Sequence, residues 1–180
     1  IPDVPGLGLT NIIESAAAGQ IKSMFLIGDS PNFTNGKLGD GLSALDKLEF
    51  LVVCDSFMSP TAQRADVVLP RATFAEKDGT YTTLERRIQR LKPGRKLPEG
   101  GARPEWQVIC DVAHKMGAPG FIQASPSETM DEIARVAPMY ANVSYRNLEN
   151  QGGLVFKTDL KSPQPTQMLY ASREDLGLQW

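Results

Sequence analysis

A three-layer α/β fold with a mostly parallel sheet is what this sequence predicts, and three observations carry the prediction. Short apolar runs stop at turn residues in Phe25-Leu26-Ile27-Gly28, Phe50-Leu51-Val52-Val53-Cys54-Asp55 and Asp66-Val67-Val68-Leu69-Pro70. A segment with helical spacing or a helix-start signal precedes each run. Unbroken apolar runs, rather than alternating ones, mark strands buried on both faces, as in a parallel sheet covered by helices.

The elements follow in order. Thr10 or Asn11 caps a first helix reaching about Gln20, with Ile12, Ile13 and Ala16 or Ala17 on its apolar side and Gly19 at its end. Ser23 to Gly28 is the first strand, and residues 32–41 are polar and glycine-rich, hence a loop. Leu42, Leu45 and Leu48 recur at helical spacing, and 50–54 is the second strand. Pro60 suits the first turn of a short helix over 60–65, because its missing N–H costs nothing there, and 66–69 is the third strand.

Lys77-Asp78-Gly79-Thr80 reads as a turn, Tyr81 to Leu91 as an extended arginine-rich segment, and 93–101 as a loop. A helix from Pro104 to Met116 presents Trp106, Ile109, Cys110, Ala113 and Met116 as one stripe, with Gly117 after it. Ser125-Pro126-Ser127-Glu128 is a capping-box start for a helix reaching about Ala137. Residues 151–180 read as coil with a short strand at Leu154-Val155-Phe156. The chain thus divides into a first domain over 1–120 and a helical and irregular extension over 121–180.

Composition narrows the function. The 180 residues are 41% hydrophobic and 22% charged, ordinary values for a globular domain, and a net charge of −2 gives no reason to expect nucleic acid. No run approaches the roughly 18 apolar residues of a membrane-spanning helix. The sequence opens at Ile1 in a loop-like stretch and stops at Trp180 after Leu-Gly-Leu, so it reads as an excised piece. Cys54 and Cys110 read as free thiols, and His114, the single histidine, as a solvated side chain. With no CxxC and one histidine, neither a metal site nor a nucleophilic triad can be assembled.

Two features offer chemistry. Gly28-Asp29-Ser30-Pro31 and Asp55-Ser56-Phe57-Met58-Ser59 follow strands, and open α/β sheets bind ligands beyond the carboxyl ends of strands, at a switch in strand order. A glycine there admits a phosphate closely, and a carboxylate accepts from a ribose or a base amine; Gly-Asp after a strand is also a common simple turn. The cluster Arg86, Arg87, Arg90, Lys92, Arg95 and Lys96 suits a phosphate or an acidic partner, or else forms ion pairs with Glu85 or Glu76 on a solvated strand.

Taken together, the segments resemble the large subunits of molybdopterin oxidoreductases. The resemblance rests on the order Phe25 to Pro31, Phe50 to Phe57, Thr61-Ala62, Ala65 to Pro70, Ala75 to Thr82, Glu85 to Arg90 and Ala102 to Trp106. It implies a Rossmann-like domain that binds molybdopterin guanine dinucleotide, with Gly28, Asp29, Ser30 and Pro31 lining the nucleotide and Asp55 and Ser59 near the guanosine. Asp29-Ser30-Pro31 replaces the family's acidic-Asn-Pro, and Cys54 replaces its Gln.

Two branches of the family fit. Glu85-Arg86-Arg87 and Ala102 to Trp106 resemble formate dehydrogenase catalytic subunits. The ending, Tyr170 with Leu176-Gly177-Leu178-Gln179-Trp180, resembles the large iron–sulfur subunit of NADH-quinone oxidoreductase (respiratory complex I). That subunit often carries the domain without the cofactor, and the reading leans that way. A non-catalytic scaffold of the same fold is the third reading. The resemblance implies iron–sulfur clusters upstream only, partners among the other domains and subunits of an oxidoreductase complex, and a cytoplasmic location without membrane insertion. A chain holding neither cluster motifs nor a whole cofactor site is expected to be inactive alone.

Overall fold

The computed structural model describes residues 4–28, 41–83, 87–97, 101–137, 140–151 and 154–155. Its contacts divide the chain into two compact units, one of residues 1–73 and 97–108, the other of 74–96 and 109–180.

The first unit is built on a parallel sheet. Strands β1 (Ser23–Ile27), β2 (Phe50–Asp55) and β3 (Val67–Pro70) lie in the order β1-β2-β3, with Ile27 opposite Cys54 and Asp55 opposite Pro70. All three carboxyl ends therefore share one edge. Asp66 starts β3 in register, because its Oδ2 accepts from the Leu51 N–H at 2.7 Å while its own N–H donates to Leu51 O at 2.9 Å. Among the described residues the strand order is sequential, so these strands share one carboxyl edge.

Side chains alternate across a strand, so register sorts them into two faces. Met24, Leu26, Leu51, Val53 and Val68 pack with Leu42, Leu45, Leu48, Ala62 and Ala65. Here α2 (Gly41–Leu45) supplies Leu42 and Leu45, and a 3-10 turn (Ala62–Arg64) stands where a short helix is expected. Helix α1 (Leu9–Ala17) joins the same side through Ile13 and Ala16. On the opposite face Phe25, Ile27, Phe50 and Val67 are 38–47% exposed, Val52 and Leu69 are half-buried, and Cys54 is fully buried. Among the described residues this unit is a mixed α/β arrangement on a parallel three-stranded sheet. Unbroken apolar strands signal two apolar faces; they do not say which residues cover them.

Helix α1 departs from expectation at its start. Gly8 is the N-cap, with no side-chain hydrogen bond, so neither Thr10 nor Asn11 caps it. Its end is as expected: Gly19 turns out at φ +71° and donates to Ala16 O at 2.9 Å.

The second unit is organised around an antiparallel sheet. Gly79 and Thr80 lie in β4 (Gly79–Thr82) rather than in a turn, and β4 pairs with β5 (Arg87–Leu91), which pairs with β6 (Leu154–Val155). Ile88 on β5 packs with Met130 of α4 (Pro126–Val136), Val143, and Tyr145 and Leu148 of α5 (Tyr145–Gln151). The N-cap forms: Ser125 Oγ accepts from the Glu128 N–H at 3.2 Å, while Glu128 Oε2 reaches one residue past the usual capping-box donor and accepts from the Ala124 N–H at 2.7 Å.

Helix α3 (Glu105–Lys115) follows its expected stripe in part, with Trp106 and Cys110 half-buried. Val108 and Ala113 are buried, whereas Ile109 and Met116 are exposed. A single-stripe prediction assumes one core, and the division between the units falls inside this helix, after Val108. Cys54 is buried and Cys110 half-buried, neither in a disulfide, and His114 is exposed. No helix among the described residues is long and apolar enough to cross a membrane.

Candidate functional site at the strand ends

The shared edge of the parallel sheet gathers three chemically distinct residues, each just at or past a strand end. Gly28 follows β1, Asp55 ends β2, and Arg71 follows β3. Backbone bonds fix their order. The Gly28 N–H donates to Cys54 O at 2.9 Å, and the Arg71 N–H donates to Asp55 O at 3.0 Å.

Gly28 stands at φ +86°, a conformation that L side chains rarely adopt. The space beside its Cα is occupied by a guanidinium: an added Cβ would lie 2.8 Å from Arg71 Nη1. Glycine is therefore required by the turn, whereas the guanidinium, at the end of a flexible side chain, could shift aside.

Asp55 organises its own loop. Its Oδ1 accepts from the Ser56 N–H at 2.6 Å and the Phe57 N–H at 3.4 Å, and its Oδ2 accepts from Ser59 Oγ at 2.7 Å. Ser59 Oγ in turn accepts from the Ala62 N–H at 3.2 Å, fixing the start of the 3-10 turn. A carboxylate offers about four acceptor positions, so roughly one is left for a ligand donor. Ser59 is thereby a residue that aims Asp55.

Arg71 is the residue that the sequence reading missed. Its Nε donates to Ser56 Oγ at 3.4 Å and its Nη1 to Glu105 Oε1 at 3.2 Å. Glu105 reaches it because the chain returns beside β3: Arg103 N donates to Pro70 O at 3.1 Å, and Ala72 N to Arg103 O at 2.9 Å. A signal for Arg71 was present, since the rule that selected Gly28 and Asp55, the position beyond a strand, applies equally to it. No local signal marked Glu105. Of the other expected site residues, Asp29, Ser30 and Pro31 lie outside the described residues.

A side-chain-free surface under a guanidinium suits a phosphate oxygen, and the carboxylate one strand away suits an N–H or hydroxyl donor. Among the described residues no group of three His, Cys, Asp or Glu side chains could hold a metal ion.

The basic cluster has a different fate. Arg90 forks onto Asp78, Nε to Oδ1 at 3.0 Å and Nη2 to Oδ2 at 2.6 Å, and its Nη1 donates to Glu149. Lys92 Nζ is 3.1 Å from the same Glu149, and the Arg90 guanidinium lies 4.7 Å from the Tyr145 ring centroid. Ion pairing thus accounts for Arg90 and Lys92, with Asp78 and Glu149 as partners, while Glu85 and Arg86 lie outside the described residues. Burial, with a smaller push from Asp78 against the pull of Arg90, raises the Tyr145 phenol to about 12, so it stays protonated at neutral pH. A hollow of about 410 Å³ beside α4 is lined by Glu128, Asp131, Glu132 and Arg135. Glu128 is committed to the helix cap and Glu132 accepts from Gln123, so this hollow reads as surface relief of the helix.

Sheet and edge together define an α/β unit with polar residues gathered at the strand ends. Residues 1–115 match the molybdopterin oxidoreductase family, and the chain belongs to that family. It is 41% identical over 154 residues to the probable oxidoreductase YjgC of Bacillus subtilis (strain 168), covering 86% of this chain and 15% of that protein. It is 43% identical over 143 residues to a protein of Staphylococcus aureus (strain MRSA252) named as a formate dehydrogenase, covering 79% of this chain and 14% of the relative. The chain therefore spans about 15% of the length of the curated relatives it matches. The solved structure of acetylene hydratase from Pelobacter acetylenicus matches with a TM-score of 0.61 at 20% identity, over 79% of this chain and 20% of that one, a likeness of fold. The Bacillus and Staphylococcus relatives carry the oxidoreductase and formate dehydrogenase names, and neither carries that of complex I.

Proposed function

We propose that this chain is the nucleotide-holding part of a formate dehydrogenase-like catalytic polypeptide, and that its strand-end site takes the guanosine diphosphate end of a molybdopterin guanine dinucleotide. The observation that carries the reading is the alignment of Gly28, Asp55 and Arg71 on one sheet edge. Gly28 provides the close approach for a phosphate, Arg71 the cation beside it, and Asp55 the acceptor for a guanine N–H or a ribose hydroxyl. Residues 1–120 are then the dinucleotide-binding domain and 121–180 its extension. The pterin group, when bound, supplies the redox chemistry; this chain binds and orients one end of it. Iron–sulfur clusters, the other domains and subunits of the complex, and a cytoplasmic location belong to the same proposal. The complex I alternative draws on residues 170–180, which lie outside the described ones.

Calorimetric titration of the chain with GDP tests the reading, with binding expected on the order of millimolar, which corresponds to about 4 kcal/mol. Asp55→Asn keeps acceptors for the loop N–H groups but replaces one acceptor with a donor, and it should weaken GDP about ten- to a hundredfold. Absence of GDP binding, or an Asp55→Asn variant that binds as well as the parent, would remove the proposal in favour of a scaffold that kept the fold alone.

A further inference from the structure

We infer that Arg71 is the phosphate receptor of this site, held over Gly28 by Glu105 and Ser56 as a placeholder that a ligand's phosphate displaces from Glu105. The inference rests on the nucleotide reading above and adds to it a named cation, a named competitor and an exchange between them.

Three observations meet at this residue. The guanidinium fills the space that the missing Gly28 side chain leaves, with Nη1 2.8 Å and Cζ 3.6 Å from an ideal Cβ position. That space is where a phosphate would approach the turn, so ligand and guanidinium must share it. Secondly, the bonds that hold Arg71 are long. Charge-assisted N–H···O bonds usually measure about 2.7–2.9 Å, whereas Arg71 reaches Glu105 at 3.2 Å and Ser56 at 3.4 Å. Thirdly, the pair is accessible, with side chains 27% and 21% exposed, so a ligand can reach it.

A planar guanidinium matches two oxygens of a phosphate in one fork, which a single oxygen of Glu105 at 3.2 Å does not offer. Moving Arg71 onto a phosphate exchanges one charge-assisted contact for two and leaves the Glu105 carboxylate beside the incoming anion. Glu105 therefore competes with the ligand: it keeps the arginine aimed across the strand ends and sets a threshold for anions that bind weakly.

The test compares GDP with guanosine, which shares the base and ribose but lacks the phosphates, on the parent chain and three variants. Parent binding should be stronger for GDP than for guanosine. Arg71→Gln should lower GDP affinity about ten- to a hundredfold, to near the guanosine level, and leave guanosine unchanged. Arg71→Lys, which keeps the charge and loses the fork, should fall in between. Glu105→Gln should tighten GDP several-fold without affecting guanosine. If neither ligand binds the parent chain, the nucleotide reading itself fails. If GDP binds and Arg71→Gln binds it as the parent does, or if Glu105→Gln weakens GDP, the nucleotide reading stands and the role of Arg71 is overturned. Circular dichroism of each variant, with Asp55→Asn as a base-side control, separates lost contacts from lost fold.

Discussion

Two arginines of similar exposure, Arg71 at 27% and Arg90 at 22%, are held in opposite ways. Arg90 forks two donors of one edge, Nε and Nη2, onto Asp78, adds Glu149 through Nη1, and lies over the Tyr145 ring. Its neighbours hold its pKa above the ordinary arginine value, the Asp78 hydrogen bond foremost. Arg71 has two longer contacts, to Glu105 and Ser56, and lies over a residue without a side chain. Burial does not distinguish the two; the quality of partnering does. A cation whose fork is filled at short distance is a structural tie, and one with longer bonds can exchange partners.

Substitutions around each arginine should separate the two roles. The largest effect is expected from Ile88→Ala, which empties the centre of the cluster beside Arg90; truncation of a buried Ile costs about 2–5 kcal/mol. Chemical denaturation should show this loss, and a cost below about 1 kcal/mol would mean that Ile88 is not a central packing residue. Arg90→Ala comes next, at about 1.5–3 kcal/mol, because Asp78 is left half-buried without its partner. It should leave GDP affinity unchanged, and a coupled loss of binding would erase the distinction between the two arginines.

Gly28→Ala forces a Cβ into φ +86° and against the guanidinium; the backbone strain alone should cost about 1–2 kcal/mol and weaken GDP in the same titration. Arg71→Gln should cost at most about 1 kcal/mol of stability, the range of a solvent-accessible pair, while its binding defect is large. A greater stability loss would place Arg71 with Arg90 among the structural ties.

The smallest effect concerns acid. Lys92, and after it Arg90, hold the Glu149 carboxyl below its ordinary value. A depressed carboxylate contributes stability that is present above its unfolded value and lost as pH falls through the folded one. The parent should therefore lose stability below the ordinary carboxylate range, and Glu149→Gln should show a shallower slope there. Equal slopes in pH-dependent denaturation would show that this exposed pair contributes nothing measurable.

Much of the fold was legible. The runs at 23–27, 50–55 and 67–70 are strands, Gly19 closes α1, and Ser125 with Glu128 opens α4. Helix α5 was missed because its sequence, Tyr-Arg-Asn-Leu-Glu-Asn-Gln, buries Tyr145 and Leu148 alone as apolar anchors among described side chains, too few to read as a stripe. A cap was there to find: Ser144 Oγ accepts from the Asn147 N–H at 3.2 Å. At the candidate site, Gly28 and Asp55 were legible because strand ends are a local property. Ser59, expected near the guanosine, donates to Asp55 Oδ2.

The local chemistry of the chain settles where apolar runs stop, where a cap or a positive φ is needed, and hence which residues stand at the strand ends. Sterics and hydrogen bonds among near neighbours answer those questions within a few residues. Folding in three dimensions is what selects which of 21 acidic residues meets which cation. Glu105 reaches Arg71 across 34 positions, and Glu149 reaches Arg90 across 59. It also brings α1 and α2 to the same face of the parallel sheet. Ion-pair strength falls with distance and with solvent between the charges, so a partner is defined by the ångströms that folding sets.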